Sequence, residues 1–364
     1  MLRSILATLV LGASLGAGAC PLCLGAYQSS KAEQLVERNR VVLAVPASGG
    51  YRVVDVVKGA QPADGRIDAA AVQLKVEPDG SGRPLLLVND TAWPMWVSIG
   101  AIGGEHARWL RTIAGGKPAT AMHAQEWRDR VALALPYLES PDPLAAEIAY
   151  GELASAPYAA LLTVKSRIAA PKVREWLADP SLASRRPLYL LLLGIAGDTT
   201  DAAKLDARLD AAWRAGDATH LGSAIAADLQ LRGPQRVAWV DDHYLRDRKR
   251  STLEIEAALL ALSVHGNADA AIPRDRVIAS YRAFIEQHQD IAGYVAQDLA
   301  AWQFWDAVPA YVAIMKSDLR QQYPSRLAIV AYLRQSPHAS ALGVDLAQSG
   351  SAMRSAAPVW VPPQ

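Results

Sequence analysis

"LLLLGIAGDTTDAAKLDARL", residues 190–209, holds the reading on which the fold turns. Together with Tyr189, its leading leucines are apolar on every side, and a helix of that kind is buried between neighbours rather than laid along a surface. Gly197-Asp198 makes a turn. Leu205, Leu209 and Trp213 then recur at i, i+4 and i+8, the stripe of a one-faced helix. An apolar helix, a turn and an amphipathic helix form a helix-turn-helix of the HEAT kind, and "ALLALSVHGNADA" at 258–270 is a fainter echo of it.

Outward from this stretch the same period of about 3.6 extends from Glu105 to roughly Gln335, with Val295, Leu299 and Trp302 as another such stripe. Gly233-Pro234 and His265-Gly266-Asn267 read as helix ends, and Pro273 as a first-turn residue. Short joints without intervening strands predict antiparallel helix pairs stacked as a HEAT-like solenoid over residues 104–335. No strict repeat period is present, so an irregular helical bundle stays open as the alternative.

Upstream the pattern is different. Val41–Val45, Tyr51–Val57, Val72–Val76, Leu85–Val88 and Trp93–Ile99 are short β-type runs, punctuated by Gly49-Gly50, Lys58-Gly59, Asp79-Gly80 and Asn89-Asp90. They predict a small antiparallel sheet or barrel within residues 20–100, preceded by a short helix that begins at the capping box Ser30-Lys31-Ala32-Glu33. The fold class expected is therefore α+β and mainly α, with a boundary near residue 100 that a protease should nick between Ser98 and Gly116.

Arg3, the apolar run Ile5–Leu15 and Ala17-Gly18-Ala19 read as a signal peptide over residues 1–19. Gly12-Ala13-Ser14-Leu15-Gly16 has the spacing of a nucleophile elbow, but it lies in that leader and lacks a strand-turn-helix context. Removing the leader leaves 36 basic and 36 acidic residues. A chain so balanced lacks the basic field that nucleic-acid binding needs, and Arg246-Asp247-Arg248-Lys249-Arg250 reads as a solvated turn. Residues 336–364 read as a loose, Pro-rich tail.

Both cysteines fall in "GAGACPLCLGAYQSS", residues 16–30. Leu24 stands where a c-type haem site has histidine, two thiols do not close a zinc tetrahedron, and no strand precedes the pair as in thioredoxin chemistry. Two readings remain: a local disulfide between Cys20 and Cys23, and a lipid anchor on Cys20.

Cys20-Pro21 with Cys23, Tyr51 to Lys58-Gly59, "LPYLESPDPLAAEIAYGELASAPY" at 135–158, "REWLADP" at 174–180, "YLLLLGIAGD" at 189–198 and "DLAAWQFW" at 298–305 occur in that order. The set resembles an uncharacterised family of exported, planctomycete-like bacterial proteins that begin with a CPxC stretch and continue into HEAT-like helices. That resemblance implies no activity. The β region, with its Lys-Gly turn, also resembles a netrin-type OB barrel.

The polar candidates are few. Asp241-Asp242-His243 lacks a second ligand pair and reads as a solvated helix face rather than a metal site. Gly100-Ala101-Ile102-Gly103-Gly104-Glu105-His106 offers backbone amides for an anion but has no P-loop Lys or Ser/Thr, and reads as a linker. Trp302 and Trp305 are candidates for a partner-binding anchor, weighed against a place in the core. With no catalytic constellation, cofactor or metal site in view, the expectation is a non-enzymatic binding or scaffold protein. It is expected in the periplasm or cell envelope, or secreted, with an unknown protein partner and no transmembrane segment in the mature chain. The alternative is a thiol-dependent redox or metal-handling module built on Cys20 and Cys23.

Overall fold

The computed structural model describes Leu22 and residues 30–74, 80–90, 92–317, 319 and 321–337. The leader, Cys20, Cys23 and the tail beyond residue 337 lie outside the described residues.

Helix α1 (Lys31–Glu37) starts as its sequence predicts, with Ser30 accepting from the Glu33 amide and Glu33 reaching back to the Ser30 amide. Lys58 closes its other end, donating to the Val36 carbonyl at 2.5 Å, and partial burial of that ammonium lowers its pKa. Strands β1 (Arg40–Ala47), β2 (Gly50–Lys58), β3 (Arg66–Asp68), β4 (Val72–Leu74), β5 (Leu85–Asp90) and β6 (Trp93–Ala101) follow. They form one sheet in the order β3-β2-β1-β5-β6-β4. The sheet is mixed rather than antiparallel as expected, because β4 runs parallel to β6.

The physical reason lies in residues 66–74. This run pairs with β2 through its first three residues and with β6 through its last three, and only Ala69–Ala71 separates the two pairings. A single stretch of chain thus joins the two edges and curls the sheet round on itself. Register shifts between Val41 and Val42 and between Leu43 and Ala44 give β2 the extra residues that such bending requires.

Curling gives the sheet two apolar faces. Val42, Ala44, Ile67, Leu85, Leu87, Trp96 and Ala101 point inward and form a small core of their own. Their sequence neighbours Val41, Leu43, Leu86 and Val88 belong to the large core shared with the helices. Alternation along a strand sends successive side chains to opposite faces, and β1 and β5 are buried on both.

The helical part begins with α2 (Ala107–Ala114), α3 (Ala124–Ala134), α4 (Pro143–Ser155), α5 (Tyr158–Leu162) and α6 (Ala170–Ala178). The opening sequence stretch becomes α7 (Arg186–Ala196) and α8 (Thr199–Ala215), joined at Gly197 and capped by Asp198. After them come α9 (Leu221–Arg232), α10 (Val237–Val240), α11 (Thr252–Ala268), α12 (Arg274–Gln287), α13 (Ala296–Ala301), α14 (Val308–Lys316) and α15 (Tyr323–Gln335). The molecule is mainly helical, with a small N-terminal sheet.

Helices α7, α9 and α11 lie side by side as an inner layer, while α8 packs on α9 and α12 on α11. Close approach depends on small residues: a Cβ on Gly194 of α7 would stand 2.5 Å from the Ala227 Cα of α9. Helix α9 is buried from Leu221 through Leu229. His265-Gly266-Asn267 does not end a helix as expected, since α11 runs on to Ala268 and stops at Asp269 in the left-handed region, φ 49°. Gly266 instead makes room for the Trp302 ring, which a Cβ there would meet at 2.5 Å.

Candidate functional site

An array of aromatic and cationic side chains forms where α8 ends and α10 passes into a π-helical turn, Asp241–Leu245. That wider turn closes with the Arg246 amide on the Asp241 carbonyl at 2.8 Å, and it turns Asp241, Tyr244 and Leu245 all inward. Single π-turns of this kind are frequent at functional positions. Trp239 and His243 stack at 4.2 Å, and Trp213 of α8 meets the His243 ring edge-on at 5.0 Å. His243 Nδ1 is 2.9 Å from the Trp239 carbonyl. A carbonyl only accepts, so Nδ1 is the donor in this contact.

Two guanidinium groups frame the stack, Arg236 over Trp239 at 4.1 Å and Arg250 over Trp213 at 4.9 Å. Both are held from behind. Arg236 donates to Asp228 at 2.6 Å and to Asp206 at 2.5 Å; Arg250 donates to Glu254 at 3.1 Å and to the Trp213 carbonyl at 2.8 Å. Trp213, Trp239 and His243 are half-buried. Tyr244 lies fully buried behind them, and desolvation pushes its hydroxyl up to about 12. Neither the Tyr244 Oη nor the Trp213 Nε1 has a hydrogen-bond partner among the described residues. The arrangement offers partly exposed aromatic faces and fixed cations, which is the chemistry of a recognition surface.

The residues singled out in the sequence fall elsewhere or separately. Asp241-Asp242-His243 does not form one solvated face: Asp241 is buried against Arg276 at 2.7 Å, Asp242 pairs with Arg246 at 2.6 Å, and His243 joins the ring stack. No group of three or more His, Cys, Asp or Glu among the described residues is placed to hold a metal. The Gly103 amide does meet an anion, which is the protein's own Asp142; its carboxylate also accepts from Leu144 and Ala145 at the start of α4 and pairs with Arg83. In the basic run, Arg250 turns inward while Arg248 and Lys249 stay exposed.

Trp302 stacks on Tyr281 at 5.7 Å and donates Nε1–H to Asn267 at 3.0 Å. Trp305 leans on Tyr332 at 5.1 Å. Both are half-buried wedges between helices, more than 20 residues from the α10 cluster in sequence and not in ring contact with it. Cys20 and Cys23, as the expected disulfide or lipid site, lie outside the described residues. Sequence reasoning missed the α10 cluster, whose readable signal was Trp239 and His243 four residues apart on one helix face. Comparison with family models, with curated proteins and with solved structures returns no match.

Proposed function

We propose that the chain is an exported, non-catalytic binding or scaffold protein of the bacterial cell envelope that captures a protein partner through its helical array. The observation that carries this reading is the half-exposed Trp213–His243–Trp239 stack framed by Arg236 and Arg250. Tryptophan, tyrosine and arginine dominate binding hot spots, and cations already locked by carboxylates lose little freedom when a partner arrives. The finer fold reading belongs with it. Counting residues 66–74 as one strand leaves a five-stranded barrel, which favours an OB-type front, and the α7–α8 turn with its Asp198 cap favours HEAT-type pairs behind it.

Affinity capture from the envelope fraction tests the proposal. Trp239→Ala is expected to weaken capture by about 2 kcal/mol or more, roughly thirtyfold. The Cys20→Ser, Cys23→Ser double variant is expected to keep its partners. If the double Ser variant loses them while folded by circular dichroism, and Trp239→Ala does not, the thiol-dependent alternative replaces this reading.

A further inference from the structure

Five arginines among the described residues lie over aromatic rings, and four of them also donate to an oxygen of the protein. Arg185 reaches Glu139 at 2.5 Å, Arg236 reaches Asp228 at 2.6 Å, Arg250 reaches Glu254 at 3.1 Å and Arg274 reaches the Gly266 carbonyl at 2.9 Å. The fifth is Arg40, which opens β1 and sets its guanidinium 4.8 Å from the centre of the Trp96 ring. Its side chain finds no acceptor among the described residues. Nε is sealed from solvent, whereas the side chain as a whole is half-buried, so the terminal nitrogens form its open edge.

The end of the curled sheet is built around this side chain. Gly59, in the left-handed region at φ 77°, leaves room for it: a Cβ there would stand 2.3 Å from the Asn39 carbonyl and 3.2 Å from Arg40 Cγ. Asn89 is the register partner of both Arg40 and Trp96. It is buried and donates to the Trp93 and Met95 carbonyls at 2.9 and 2.8 Å, which ties the start of β6 beside the arginine. Trp93 is 66% exposed, and Val72, the register partner of Trp96 on β4, is half-buried. The next acid along β5 is Asp90. Alternation sends it to the opposite face from Asn89, and Asn39 and the Ala92 amide hold its Oδ1. Lys58 is turned to the Val36 carbonyl, and Glu37 and Arg38 at the end of α1 are exposed charges of opposite sign.

We propose that this end of the sheet binds a small carboxylic acid, ionised and carried on an apolar body, with Arg40 as its cation and Trp93 beside it as an apolar wall. A guanidinium offers a carboxylate two parallel N–H groups, and the Trp96 ring fixes the plane of that fork before the ligand arrives. Arg40 has already lost hydration at Nε, so less water has to leave the cation on binding. A single unshared positive charge suits a monoanion, whereas a dianionic phosphate would be repelled more strongly by the neighbouring Asp90. The site lies on β1, β5 and β6, apart from partner capture through the α8 and α10 rings.

The test is calorimetric titration of the full chain with benzoate, benzamide and phenyl phosphate. Benzoate is expected to bind saturably, and benzamide, its uncharged counterpart of similar shape, about tenfold or more weakly. Arg40→Gln is expected to weaken benzoate by about tenfold or more, and Arg40→Lys, which keeps the charge and loses the fork, by a smaller factor. Trp93→Ala is expected to weaken it about fivefold, while Arg38→Gln leaves it unchanged. Absence of benzoate binding, equal binding of benzamide, tighter binding of phenyl phosphate, or unchanged affinity in folded Arg40→Gln overturns the proposal. The benzoate and benzamide comparison needs no variant, so it decides even where Arg40→Gln fails to fold. Loss of partner capture with benzoate binding intact touches only the previous section.

Discussion

Six carboxylates are buried among the described residues, Asp142, Glu152, Asp201, Asp228, Asp241 and Glu254, and every one of them meets an arginine. A buried acid alone is expensive, and a guanidinium partner restores hydrogen bonds at the cost of desolvating two ions, although Asp241 Oδ1 has no partner among the described residues. The consequence is asymmetric. Arg276→Met is expected to destabilise the fold by about 3 kcal/mol, because Asp241 is then left buried and charged, while adding Asp241→Leu should recover most of the loss. Chemical denaturation of the two variants checks it. His265 behaves differently. Packed edge-on against Tyr158 and hydrogen-bonded to the Ala226 carbonyl at 2.9 Å, it is held neutral by burial, its pKa lowered to about 4. In the unfolded chain the ring takes its proton near pH 6.5 and in the folded chain only near 4, so acidification through that window favours unfolding. Stability is expected to decline by up to about 3 kcal/mol as pH falls from 6.5 to 4, and His265→Gln, which keeps a donor, should flatten that part of the profile.

At the scale of elements, the tightest restraint is the crossing of α7 and α9. Gly194→Ala places a methyl against backbone rather than against a yielding side chain, so the helices must part; a loss of about 2 kcal/mol or more in thermal or denaturant unfolding is expected. Much at this scale was legible beforehand. The Ser30 capping box, the strands led by Val41, Tyr51, Leu85 and Trp93, and the α7–α8 turn follow from local patterns of two and 3.6 residues. What failed to show in the pattern depends on distant partners. Strand β3 is three residues long with a lone inward apolar side chain, Ile67, and exists because β2 is there to pair with it. Gly266 reads as a helix stop until Trp302 is seen to occupy the space above it. The candidate site was half visible: the Trp239 and His243 spacing is local, but the π-turn and the approach of Trp213 and Arg250 arise only when α8, α10 and α11 meet.

For the molecule as a whole, the change of pattern near residue 100 does not divide the interior, since Val41, Leu43 and Leu86 of the sheet share one core with the helices. Ser98 through Gly103 is buried, the Gly103 amide is held by Asp142, and Arg111 of α2 pairs with Asp55 of β2. A single cooperative melting transition is therefore expected, with resistance to limited proteolysis between Ser98 and Gly116 in the native state; two resolved transitions in calorimetry would contradict a shared core. The run from Arg66 to Leu74 adds something of another kind. Exposed strand edges are templates on which sheets recruit one another, and most sheets blunt their two edges by separate devices. Here one short stretch occupies both. Its release would bare two sticky margins at the same moment, so the solubility of this protein hangs on nine consecutive residues acting as a clasp, and damage there should be felt first as clumping of molecules rather than as loss of helix.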